Sequence, residues 1–109
     1  MQEKIEKFIN DKCYLDSKMT LSKMAVYVDA NPAYLNDMLR NLYGKTYIGF
    51  INDLRLEALA FDLKTKPNLL DRFTISAIIK DYGFDNYSTF LYTFRRKYKT
   101  TPNKVFVST

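Results

Sequence analysis

Residues 74–102 read TISAIIKDYGFDNYSTFLYTFRRKYKTTP, and this stretch decides the fold. Thr74 precedes a short apolar run, and threonine at such a position caps a helix by accepting a backbone hydrogen bond. Gly83 then opens a tight turn, and Phe90 and Phe94 follow at the spacing of a second helix. A capped short helix, a tight turn and a second helix are the outline of a helix-turn-helix.

The same outline occurs earlier in the chain, in residues 20–46, which read TLSKMAVYVDANPAYLNDMLRNLYGKT. Thr20 lies 54 positions before Thr74, and the second helices are offset by 55 positions because the later turn holds one more residue. The duplicated unit spans residues 20–51 and 74–106. Two helix-turn-helix units on one small basic chain indicate a DNA-binding protein.

Helical periodicity continues through the rest of the chain, so the predicted fold class is all-α. Apolar residues from Ile48 to Leu63 predict a long central linker helix between two helix-turn-helix subdomains. A chain of 109 residues is one modest domain or two very small ones. We expect residues 1–109 to form one domain, with subdomain one at about 15–45, the linker helix at about 46–64 and subdomain two at about 72–107. A polar connection is expected over residues 64–72. The seven helices are predicted over residues 2–14, 21–28, 32–43, 46–64, 75–82, 86–98 and 102–107.

The net charge of +5 lies entirely in the second half of the chain. Residues 1–64 hold nine basic and nine acidic side chains, whereas residues 65–109 hold eight basic and three acidic ones. No acidic residue follows Asp85. Such a cluster fits either a solvated face or a phosphate-binding face, and its place on a helix-turn-helix favours phosphate binding.

The composition argues against an enzyme. The chain has no histidine, which excludes the catalytic triads and zinc sites that need one. Its single cysteine, Cys13, excludes an internal disulfide, and three glycines do not supply a phosphate-cradling loop. We therefore expect no catalytic residue, no bound metal and no cofactor. Without a signal peptide or a long apolar run, we expect a cytoplasmic domain that makes no membrane contact.

Each second helix has an apolar stripe that should pack inward, and an outward face of polar groups and arginine. The predicted inward residues are Leu35, Leu39 and Leu42 in the first of these helices and Phe90, Phe94 and Tyr98 in the second. The predicted outward residues are Ala33, Asn36, Asp37 and Arg40 in the first and Ser88, Thr89, Tyr92, Arg95 and Arg96 in the second. Such outward faces suit the DNA major groove, although an ordinary solvated face has the same residue types.

The second copy combines the Gly83-Phe84 turn with Phe90, the Phe94-Arg95-Arg96 run and Thr101-Pro102. This pattern resembles the C-terminal signature of the AraC/XylS transcription regulators. The first copy, with Tyr34-Leu35, Gly44-Lys45-Thr46 and the segment 51–56, is similar to the first motif of that family and the start of its linker helix. The resemblance covers about residues 15–107.

The resemblance implies that two recognition helices enter successive major grooves on one face of the DNA. Lys99 replaces the glycine that usually ends the second recognition helix, so we expect a lysine in the left-handed conformation there. The implied base contacts are Ala33, Asn36, Asp37 and Arg40 at the first site and Tyr87, Ser88, Thr89 and Tyr92 at the second. The implied phosphate contacts are Arg95, Arg96 and Thr101.

The implied function is sequence-specific binding of double-stranded DNA for transcription regulation in bacteria. An activator of this kind also contacts RNA polymerase, and family members usually carry a separate sensor or dimerisation domain. One alternative is a helical protein-interaction module, in which the face of Asp37 and Tyr92 binds a partner instead of bases. Another is an RNA-binding helical domain. The sequence does not predict the exposed aromatic platform that binding of single-stranded RNA requires.

Overall fold

The computed structural model describes residues 1–66, 68–102 and 104–105, and every regular element in these ranges is helical. Short 3-10 segments at Cys13–Leu15 and Ile79–Tyr82 accompany seven α-helices. The predicted all-α fold, with two helix-turn-helix units joined by a long central helix, is confirmed. The α-helices are α1 (Gln2–Asn10), α2 (Leu21–Tyr27), α3 (Pro32–Tyr43), α4 (Tyr47–Thr65), α5 (Leu69–Arg72), α6 (Ile75–Ile78) and α7 (Tyr87–Tyr98).

Polar side chains set the starts of the helices in both units. Each capping oxygen accepts a hydrogen bond from the backbone N–H three residues ahead, at 2.8–3.2 Å. These bonds satisfy amide groups that have no partner inside the first turn of a helix. The capping residues are Thr20, Asn31, Thr46, Thr74 and Asn86.

Two hydrophobic cores lie on either side of the middle of α4. The N-terminal half of α4 contributes Tyr47, Phe50 and Ile51 to a core that it shares with α1, α2 and α3. Its later residues Leu56 and Leu59 belong to a second core, which is built mainly from α6, the following 3-10 segment and α7. The central helix is therefore part of both units, and this fixes their relative position.

The buried guanidinium of Arg55 joins the two units at the midpoint of α4. Its Nε donates a hydrogen bond to the carbonyl of Tyr14 at 2.6 Å, and Nη2 donates to the carbonyl of Asp16 at 2.9 Å. The side chain also packs against Gly83 in the turn of the second unit, where an added Cβ would lie 2.9 Å from Arg55 Cζ. Burial lowers the pKa of Arg55 from its usual value, but the nearby Tyr47, Asp85 and Asp16 oppose that shift.

Several predicted helix limits differ from the structure. The predicted helix over 2–14 ends at Asn10, because Lys12 has a left-handed φ of 57° before the 3-10 segment. The connection predicted over 64–72 contains the one-turn helix α5, and the helix predicted over 75–82 changes to 3-10 geometry after Ile78. Of the final predicted helix, residues 103, 106 and 107 lie outside the described residues.

Candidate nucleic-acid interface

The two helix-turn-helix units use the same backbone turn. In the first, Asp29 is left-handed with φ 57°, and the N–H of Ala30 donates to the carbonyl of Ala25 at 2.9 Å. In the second, Gly83 has φ 89°, and the N–H of Phe84 donates to the carbonyl of Ile79 at 3.2 Å. Every one of these second-unit positions lies 54 residues after its counterpart. The turns therefore place α3 and α7 in equivalent positions on their units.

The exits of α3 and α7 also match. Gly44 ends α3 with φ 67°, and Lys99 ends α7 with φ 59°, so both helices stop at a left-handed residue. The amide of each donates to the carbonyl four residues earlier, at 2.9 Å from Gly44 and 3.0 Å from Lys99. This confirms the left-handed lysine predicted at the end of the second helix.

Helix α3 turns its polar side away from the core. Leu35 and Leu39 are fully buried, as predicted, but Leu42 is 38% exposed because the last turn of the helix extends past the first core. The residues proposed to contact bases at the first site, Ala33, Asn36, Asp37 and Arg40, lie on the other side, where Asn36 is half-buried and the rest are exposed.

Helix α7 also has a buried aromatic side and an exposed polar side. Phe90 and Phe94 are buried and contact each other at 5.7 Å between ring centroids, while Tyr98 is half-buried beside Phe94. The residues proposed to contact bases at the second site, Tyr87, Ser88, Thr89 and Tyr92, are exposed, as are Arg95 and Arg96. Thr101, the third proposed phosphate contact, is half-buried after the helix.

Tyr92 and Arg96 form a pair on the exposed face of α7. The guanidinium carbon of Arg96 lies 5.6 Å from the centroid of the Tyr92 ring, and Nη1 donates to the Tyr92 hydroxyl at 3.4 Å. One helical turn separates the two residues, so the contact is local to α7. The pair holds a cationic group and an aromatic ring together at the surface.

A groove of about 600 Å³ separates the end of the first unit from α7. Asn52 and Asp53 from the N-terminal half of α4 line it, together with Lys45, which follows α3, and Lys97 on α7. None of these four residues was predicted as a DNA contact, although Lys45, Asn52 and Asp53 lie in the segments that carry the family resemblance. Their association could not be predicted from local patterns, because the groove joins residues that lie far apart in the chain.

Asp53 connects the two lysines across this groove. Its carboxylate lies 2.5 Å from Lys45 Nζ and 3.7 Å from Lys97 Nζ, and Lys97 also reaches the carboxylate of Glu57 at 3.4 Å. These contacts link the exit of α3, the face of α4 and the last turn of α7. The network therefore supports the same arrangement of the two units as the buried Arg55.

A family model described as a helix-turn-helix domain matches residues 24–106, which is most of the chain. This chain is an AraC-type helix-turn-helix domain. The resemblance predicted from the sequence is thereby confirmed. None of the curated proteins matches the sequence of this chain significantly.

Two solved structures share the fold of the AraC-type domain. The C-terminal domain of the two-component response regulator yesN from Fusobacterium nucleatum is 25% identical, with a TM-score of 0.77 and 94% of each chain covered. The C-terminal domain of AraT, a response regulator from Geobacillus stearothermophilus, is 26% identical, with a TM-score of 0.73. That match covers 90% of this chain and 76% of the other.

Family membership identifies the AraC-type domain as a DNA-binding domain of transcription regulation, and the family is not a class of enzymes. Among the residues that the structure describes, no helix has both the length and the apolar content needed to cross a membrane.

Proposed function

We propose that the AraC-type domain binds one continuous duplex site as a monomer, with α3 and α7 in successive major grooves. The observation that carries this proposal is the repeated turn, which gives both helices the same position on their units. A recognition helix of this kind lies in the major groove and contacts base edges with its outward side chains. Two such helices, held in fixed positions on one domain, occupy two major grooves in this proposal.

The length of α4 supports the spacing that two grooves require. Its 19 residues span about 28 Å at 1.5 Å per residue. Successive major grooves on one face of DNA are about 34 Å apart, a distance that many helix-turn-helix proteins cover only as dimers. Because α4 packs in both cores, it acts as a strut that holds the two recognition helices at a fixed separation.

The proposed contact residues at each site have distinct roles. At the first site, Asn36 and Arg40 contact adenine and guanine, since these side chains pair with two atoms on the major-groove edges of those bases. Asp37 accepts from a cytosine amino group, and Ala33 contacts a thymine methyl. The base contacts of the second site are Tyr87, Ser88, Thr89 and Tyr92, and its phosphate contacts are Arg95, Arg96 and Thr101.

The proposed regulatory setting is supported by the related structures. Both are C-terminal domains of response regulators, which supports a role for the AraC-type domain as the DNA-binding part of a bacterial signalling regulator in the cytoplasm. As an activator, it contacts RNA polymerase when bound beside a promoter. A sensor or dimerisation domain then controls its occupancy of DNA.

Selection of bound duplexes from a random library, followed by footprinting, tests the proposal. We expect an asymmetric protected site of about two helical turns, with no requirement for an inverted repeat. Protection of a single half-site, or strict dependence on a palindrome, would contradict the two-groove monomer.

A salt titration with the selected duplex separates DNA binding from the protein-interaction alternative. Phosphate contacts release counterions, so the affinity should fall steeply as salt rises. Weak affinity without this dependence would favour a module that binds another protein.

A further inference from the structure

The groove between the first unit and α7 borders the proposed second site through Thr89, Tyr92 and Arg96, but no contact proposed above uses its two lysines. Three of its lining side chains are basic, namely Lys45, Arg96 and Lys97, and one, Asp53, is acidic. The groove is therefore positively charged, and it opens between two surfaces that are proposed to enter DNA.

The two lysines in this groove are held in place before any ligand arrives. Lys45 and Lys97 share the carboxylate of Asp53, which is itself only 24% exposed, and Lys97 has a second contact with Glu57. Only 25% of the Lys97 side chain is exposed, so its chain is packed against the protein and does not extend freely into solvent. A cation ordered in this way loses less conformational entropy when it binds an anion than a free lysine does.

The position of the groove specifies which anion it meets. A duplex that accepts α3 in one major groove and α7 in the next must cross the surface between them with its sugar–phosphate backbone. Two cations, one from each unit, then face a continuous line of phosphates. Asp53 offsets part of this charge, but three basic side chains and one acidic side chain line the groove, so its net charge stays positive.

We propose that this groove binds the sugar–phosphate backbone between the two half-sites, with Lys45 and Lys97 as its phosphate contacts. The inference rests on the proposed two-groove binding and adds a third contact region, which no recognition helix supplies alone. It also makes binding depend on the spacing of the two half-sites, because the lysines contact the backbone only when α3 and α7 both lie in their major grooves.

Ethylation interference on the selected duplex tests this inference. In this method, an ethyl group on a phosphate blocks binding wherever the protein needs that phosphate. For the wild-type domain, we expect interference at phosphates between the half-sites as well as at those flanking α7. In Lys45→Gln and Lys97→Gln, the central interference should disappear while the flanking interference remains.

Salt titration of the same variants supplies a second readout. Each lost phosphate contact should reduce the slope of log affinity against log salt by about 0.9. Lys97→Arg should keep both the slope and the central interference, because it retains the charge. Lys64→Gln is the matched control: the same charge is removed from the far end of α4, outside the groove, so the central interference should persist. Circular dichroism melts confirm that the variants are folded.

The outcomes separate this inference from the proposed function. If Lys45→Gln and Lys97→Gln keep the wild-type slope and interference pattern while loss of Arg95 and Arg96 flattens the slope, the groove assignment is overturned and two-groove binding stands. If the wild-type footprint itself covers one half-site only, the proposed function fails and the groove inference fails with it.

Discussion

Replacing Gly83 by Ala should destabilise the AraC-type domain by about 2.5–5 kcal/mol, through two separate effects. Gly83 has a φ of 89°, and an L-amino acid with a side chain pays about 1–2 kcal/mol to be left-handed. The new Cβ would also lie 2.9 Å from Arg55 Cζ, which is too close, so the guanidinium has to move.

The second effect is the larger one. Arg55 is buried and donates to the carbonyls of Tyr14 and Asp16 at 2.6 and 2.9 Å. Hydrogen bonds from a charged donor contribute about 1.5–3 kcal/mol each, and we expect the displaced side chain to lose one of them. Small domains have a total stability of about 5–15 kcal/mol, so a loss of this size removes a large part of it.

Gly44→Ala is the matched control for this prediction. Gly44 has a similar φ of 67°, but no described atom lies within 4 Å of a Cβ placed there. We therefore expect only the conformational cost, about 1–2 kcal/mol. Urea unfolding followed by circular dichroism measures both variants, and their m-values should agree with that of the wild type. If both variants lost the same free energy of unfolding, the close approach of Arg55 to Gly83 would not contribute to the cost of the substitution, and the prediction would be wrong.

Three further predictions concern binding and pH. Arg95→Ala combined with Arg96→Ala should weaken binding to every duplex and reduce the salt slope by about one to two units, and a greater reduction from Arg40→Ala alone would contradict the assignment. Asn36→Ala should cost about 1–3 kcal/mol on the selected duplex and little on unrelated DNA, whereas an equal loss on both would make Asn36 a backbone contact. Tyr47→Phe should leave stability at pH 7 unchanged or raise it in thermal melts, since the buried hydroxyl has no hydrogen-bond partner among the described residues. Burial raises the pKa of Tyr47 to about 12, so the folded protein holds the phenol proton more tightly than the unfolded chain does. The stability that depends on this proton is complete below about pH 10 and is lost as the pH rises towards 12. The phenylalanine variant should lose less stability over that interval, and identical alkaline unfolding of the two proteins would refute this cause.

The sequence by itself determined the features that depend on neighbours within one helical turn. The caps at Thr20 and Thr74 are hydrogen bonds between residues three apart, so the local sequence is enough to predict them. The duplication follows because the same local signals occur twice. The left-handed Lys99 was expected from the resemblance instead, because lysine stands where the family usually has the glycine that ends this helix.

Features at the edges of the packed cores were less predictable. Leu42 continues the apolar spacing of α3, but the core ends before it and leaves it 38% exposed. The first helix stops at Asn10 although its composition permits another turn, because the chain turns at Lys12 and buries Tyr14 against α4. Periodicity records which face of a helix is apolar, but it does not record where the neighbouring helix ends.

Only the tertiary structure decided how the two units are joined. Arg55 meets residues 41 and 39 positions away, and Lys97 meets Glu57 across 40 positions. In the sequence, these side chains are ordinary charges on helices, and any of them is compatible with a solvated position. Packing of α4 in both cores brings them together, because contacts between distant residues form only after the chain between them has folded.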